Sequence, residues 1–132
     1  MNMFKKNGGF TLVELIVVIA ILAILAGVAV PAYSGYISKA QEASDLTQLD
    51  AIKTAASFAF VEKVASTTND IVVESVEVTA SSDGKTLTKV VVNEDTEVTT
   101  EVNGEYFTTF PGFKSDAYKT GATWTADSGK WE

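Results

Sequence analysis

The chain has 132 residues, with ten lysines and no arginine against seventeen acids, and it contains neither histidine nor cysteine. That inventory excludes a Ser-His-Asp triad, a thiolate nucleophile and the usual zinc sites. A net charge of −7 with no lysine cluster beyond the first residues excludes the basic patch that nucleic-acid binding needs. The length supports one domain, and no disulfide braces it.

In chain order, Lys5 and Lys6 precede the segment Gly8-Gly9-Phe10-Thr11-Leu12-Val13-Glu14, and from Leu15 to Val30 nothing is polar. As a helix, Phe10 to Val30 would be about 31 Å long, which matches the hydrocarbon thickness of a bilayer. Glu14 is the flaw in this span. An acid in hydrocarbon costs roughly 2.5–3.5 kcal/mol, so it marks a functional position in need of a partner. A secretory signal has a shorter apolar region followed by a small-x-small cleavage site, whereas here the glycine pair comes first. Cutting at Gly9 would free a basic leader and leave the apolar helix on the mature chain. The lysines keep the leader on the cytoplasmic side and place the rest of the chain outside. A plain signal anchor, with Glu14 snorkelling to water, explains neither the glycine pair nor the position of the acid.

The run from Gly9 to Ala26, Gly-Phe-Thr-Leu-Val-Glu followed by an unbroken apolar stretch, with Pro31 beyond it, resembles the class III signal and N-terminal helix of type IV pilins and the related pseudopilins. The resemblance covers about the first third of the chain. It implies recognition of Gly8 and Gly9 by a membrane-bound prepilin peptidase that also acts as methyltransferase, cleavage between Gly9 and Phe10, and N-methylation of Phe10. It further implies that Glu14 meets the N-terminal amine of a neighbouring subunit, and that an assembly platform and cytoplasmic motor drive polymerisation. Many Gram-negative pilins close a C-terminal loop with a disulfide. The absence of cysteine departs from that pattern and favours a Gram-positive or another cysteine-poor source.

Physical chemistry supports such a pairing independently. An α-amine at Phe10 and the carboxylate of Glu14 lie four residues apart at a helix start, where unsatisfied backbone N–H groups favour negative charge. The rest of the burial cost is relieved by an opposite charge at the same membrane depth, which another copy of the helix supplies. Pairing each subunit's acid with the next subunit's amine does not close, so it grows as a helical filament.

The helical period continues past the membrane. Tyr36, Ala40, Ala43, Leu46, Leu49, Ile52, Ala56, Ala59 and Phe60 recur every three or four residues, with Lys39, Glu42, Asp45, Asp50 and Lys53 between them. Gly27 and Pro31 predict a bend or melted stretch, because proline removes a backbone hydrogen bond and clashes with the carbonyl four residues back. Ala23 and Gly27 form a small-xxx-small spacing that would allow close helix packing. The helix is expected to fade at Lys63 to Ser66, and residues 65–70 form a polar loop.

Beyond it, Val, Thr and Glu favour strands. Ile71 to Ala80 and Lys85 to Asn93 flank the turn Ser81-Ser82-Asp83-Gly84. Thr96 to Val102 and Glu105 to Phe110 flank Asn103-Gly104, a strong two-residue hairpin signal. Four strands in meander order are expected, with one last strand near Ala122 to Ala126 between turns at Pro111-Gly112 and Asp127-Ser128-Gly129. Phe107, Phe110, Phe113, Tyr118, Trp124 and Trp131 are expected to cover the sheet. Glu94, Asp95, Glu97 and Glu101 lack the ligand order of an EF-hand and are expected to be a solvated face.

The expected fold is therefore α+β, a long N-terminal helix whose second half packs on an antiparallel sheet of about four strands, the pilin fold. The divisions are a leader (1–9), a transmembrane and assembly helix (10–32), the amphipathic helix of a head (33–64) and its sheet (65–132). The resemblance implies a non-enzymatic subunit that needs no cofactor or metal, waits in the membrane and becomes a self-assembled extracellular pilus serving adhesion, twitching motility or DNA uptake. A pseudopilin of a type II secretion or competence system shares every N-terminal feature. A single-pass membrane protein with an acidic binding head and no polymerisation is the alternative outside the family.

Overall fold

In the computed structural model, residues 8–65, 71–107 and 109–132 are described. The leader lysines and most of the 65–70 loop lie outside them. Helix α1 runs Leu12–Val64, with Gly27 and Pro31 inside it. Pro31 has no N–H to give the Gly27 carbonyl, and the Ser34 hydroxyl donates to the Pro31 carbonyl at 2.9 Å. The chain divides into two compact units, the first ending at Ile37 and the second spanning Ser38–Glu132. The four strands and the long helix make the α+β arrangement expected of the pilin fold.

The sheet consists of β1 (Ser75–Ala80), β2 (Leu87–Val92), β3 (Thr96–Glu97) and β4 (Gly121–Thr125), ordered β3-β2-β1-β4 with every pairing antiparallel. The first three form a meander. The fourth, at the place of the last strand expected near Ala122 to Ala126, crosses back to pair with β1, and the four-strand meander is corrected because its expected fourth strand, Glu105 to Phe110, does not form. Register follows the apolar pattern: Val76 lies opposite Val92 and Trp124, and Val78 opposite Val90 and Ala122. Leu87 and Val90 are three apart, a spacing that cannot share one face of a regular strand. A bulge between Thr79 and Ala80 of the pairing shifts the phase and buries both.

The stretch from Thr96 to Phe110 departs most from expectation. Only Thr96 and Glu97 form a strand; Thr99–Glu101 is a helical turn (α2), and Val102–Tyr106 is a π-helix holding Asn103-Gly104, where a hairpin was expected. The reason lies in the spacing of Val98 and Val102, both fully buried. Four residues apart satisfies a strand face and a helical turn equally, and the Val102 N–H bonds the Val98 carbonyl at 3.0 Å. The Thr99 hydroxyl accepts the Val90 N–H at 2.9 Å, taking the place of a longer third strand.

The core of the second unit sets Leu49, Ile52, Ala56, Ala59 and Phe60 of α1 against Val76, Val78, Val90 and Val92 of the sheet, with Val98, Val102, Phe113 and Trp131 closing it. Phe107, Phe110, Tyr118 and Trp124 pack on it half-buried, in line with a sheet-covering role. The buried stripe of α1 differs at its start. Tyr36, Ala40 and Ala43 are exposed, and Asp45, expected among the solvated residues, is fully buried. Asp45 falls four residues before Leu49 and seven before Ile52, on the stripe itself. Its carboxylate is satisfied there by the Lys114 N–H at 3.0 Å, the Ser115 N–H at 2.7 Å and the Ser115 hydroxyl at 2.6 Å.

Candidate assembly site

The N-terminal end of α1 carries the site. Gly8 and Gly9 are exposed and outside any regular element, and a Cβ built on either meets nothing within 4 Å. The Gly9–Phe10 bond thus precedes the helix. Thr11 is the cap. Its carbonyl accepts the Leu15 N–H at 3.2 Å, its hydroxyl accepts the Glu14 N–H at 3.2 Å, and its own N–H donates to Glu14 Oε2 at 2.9 Å. This reciprocal pair is a capping box, which satisfies two N–H groups that a helix start leaves open. Glu14 Oε1 has no hydrogen-bond partner among the described residues.

Phe10, Glu14, Leu15 and Val18 line a groove of about 450 Å³ beside this carboxylate. Glu14 and Val18, four residues apart, lie along one side of the helix, and Phe10 precedes it. Phe10 is 94% exposed, and the large apolar residues from Leu12 to Val30 range from 50% exposed at Val17 to 75% at Leu12. This helix is long and apolar enough to cross a membrane, and none of its most apolar window is buried in the fold. The site therefore combines an exposed apolar helix, an acid with one oxygen unpartnered among the described residues, and a groove lined mostly by apolar side chains.

Gly8, Gly9, Phe10 and Glu14 thus fall together at one helix end, and Gly27 and Pro31 lie further along the same helix. Thr11 was not singled out from sequence, although Thr11-Leu12-Val13-Glu14 has the spacing of a capping box and could have shown it. Among the described residues no three potential metal ligands converge. Lys63 bonds the Glu97 carbonyl at 2.7 Å and lies 3.6 Å from Glu101, a partly exposed pair worth little by itself.

Over residues 4–30 the chain is similar to the family model of the prokaryotic N-terminal methylation motif, a likeness that supports a type IV pilin-like prepilin. The matched segment contains the glycine pair, Phe10, Glu14 and the start of the apolar helix. No curated protein and no solved structure matches the chain. The motif carries with it processing by a prepilin peptidase and a membrane-anchored, pilus-related setting.

Proposed function

We propose that this chain is a structural pilin subunit, cleaved after Gly9, N-methylated at Phe10 and polymerised into a type IV pilus that serves adhesion, twitching motility or DNA uptake. The observation that carries this reading is Glu14, whose second oxygen is unpartnered among the described residues beside an apolar groove at the head of an exposed apolar helix. Cleavage creates a cationic amine on an aromatic residue, and a second copy shifted along the axis brings that group to the groove and carboxylate. The same interaction repeated from copy to copy makes an open filament. Gly27 and Pro31 give the helix a place to yield on extraction from lipid, since the Gly27 carbonyl lacks its usual donor. The assembly platform and motor supply the work.

N-terminal mass spectrometry of filaments sheared from the cell surface tests processing, and the expected first residue is N-methylated Phe10. Recovery of Met1 on the mature protein would end the processing claim. A Glu14→Ala protein that is exported, cleaved and still forms normal filaments would end the pairing mechanism. Short periplasmic filaments in place of surface pili would assign the chain to a pseudopilus.

A further inference from the structure

We infer that Thr11 is a positioning residue for intersubunit pairing: its N–H and hydroxyl hold Glu14 so that Oε1 alone is presented to the amine of a second copy. The inference rests on the assembly reading above. The Thr11 N–H takes Oε2 at 2.9 Å, and the Thr11 hydroxyl takes the Glu14 N–H at 3.2 Å, which fixes the glutamate at both ends. Every atom of this box lies on the C-terminal side of the Gly9–Phe10 bond. Cleavage therefore leaves the box intact while turning the Phe10 nitrogen into a cation, and Oε1 has no partner among the described residues.

The bilayer makes the hydroxyl matter. In water a lost cap is replaced by solvent, but at membrane depth the Glu14 N–H has no other acceptor, and the helix start loosens. A loosened start lets the carboxylate sample rotamers in which neither oxygen faces the groove formed with Phe10, Leu15 and Val18. Fixing it again on association then weakens the contact, because ordering that the free subunit had already undergone must occur at binding. A valine at position 11 keeps the shape and loses the hydroxyl, whereas a serine keeps the hydroxyl.

The test uses the processed full chain in vesicles of phosphatidylethanolamine and phosphatidylglycerol, with association of labelled copies followed by fluorescence energy transfer. Circular dichroism verifies that each variant is helical. Thr11→Val is expected to weaken association about five- to tenfold, the range of a lost helix cap, and Thr11→Ser to stay within about twofold of the parent. In a Glu14→Ala background, Thr11→Val is expected to add no further loss, because its effect passes through the carboxylate. Glu14→Ala weakening association while Thr11→Val does not would overturn this inference and leave the assembly reading standing. Equal loss in Thr11→Val and Thr11→Ser, or additive loss in the Glu14→Ala background, would overturn it by reducing Thr11 to a helix-stabilising role. No effect of Glu14→Ala would overturn both.

Discussion

Replacing Asp45 with Ala removes the acceptor for two backbone N–H groups and one hydroxyl in a chain that has no disulfide to hold its C-terminal segment. Ser115 is buried, so its N–H and hydroxyl lose their partner with little access to water, while the partly buried Lys114 N–H can be resolvated in part. Each unsatisfied buried group costs about 1–3 kcal/mol, which puts the loss near 3 kcal/mol for Asp45→Ala. Asp45→Asn keeps the volume and one oxygen but turns an NH₂ toward donors, and a loss of about 2 kcal/mol is expected. Against a total stability of roughly 5–15 kcal/mol, either change is large. Urea unfolding of the full chain in detergent, followed by the fluorescence of Trp124 and Trp131, reads it directly. With a slope of about 1.5 kcal/mol/M, the Asp45→Ala midpoint falls by about 2 M. Hydrogen exchange at the Lys114 and Ser115 amides accelerates in parallel. A midpoint within about 0.3 M of the parent would refute the clamp, because the buried carboxylate would then add nothing to stability.

Gly121 sits at φ +118°, and a Cβ there would meet the Val78 carbonyl oxygen at 1.9 Å, so Gly121→Ala forces β4 from β1; a loss of about 3 kcal/mol or more is expected in the same unfolding assay. Asn93, at φ 53°, accepts the Glu74 and Ser75 N–H groups at 2.8 and 3.3 Å and donates to the Val72 carbonyl at 2.7 Å. Asn93→Ala loses these bonds and strains the turn, for about 2–3 kcal/mol, whereas Asn93→Gly relieves the strain and loses about 1 kcal/mol less; equal losses would count against the strain. The Ser81 hydroxyl, donating at 2.5 Å, and the Lys85 N–H, at 3.1 Å, hold the Asp83 carboxyl below its usual range. A lowered folded value means that Asp83 stabilises the fold above the unfolded carboxyl value of about 3.9, and that this contribution fades as pH falls through the folded one. Ser81→Ala moves the Asp83 midpoint upward in an NMR titration, and an unmoved midpoint would remove the hydroxyl as the main cause.

Helix contacts hold the chain beyond residue 110 in several places. Gln48 donates to the Gly112 carbonyl at 3.2 Å, Asp45 takes the Lys114 and Ser115 amides, and Asp50 accepts the Trp131 indole N–H at 2.8 Å. Lys53 stands 4.3 Å from the centre of the Trp124 ring. The last two residues pair with β4 through two bonds between Thr123 and Glu132, at 2.8 and 2.9 Å. The contacts made by Asp45, Gln48, Asp50 and Lys53 act between segments more than sixty residues apart, where a cysteine pair serves in many small exported domains.

The candidate N-terminal site can be read from sequence because the chemistry proposed for it is local. Gly8, Gly9, Phe10 and Glu14 lie within seven residues, and a helix start needs only near neighbours to satisfy its N–H groups, so even the unremarked Thr11 is readable from its spacing to Glu14. The long helix and the first two strands were readable for the same reason, since an apolar run or an alternating pattern fixes its own element. Tertiary structure decided the rest. Val98 and Val102 fit a strand and a helical turn alike, and the Thr99 hydroxyl on the Val90 N–H settled which of them forms. The return of β4 to β1 depends on Val76 and Val78 finding Trp124 and Ala122 nearly fifty residues away, and no local pattern specifies that pairing. Asp45 shows the limit most plainly: an acid on a helix is solvated by default, and only the amides of Lys114 and Ser115, brought from the far end of the chain, make it a buried residue.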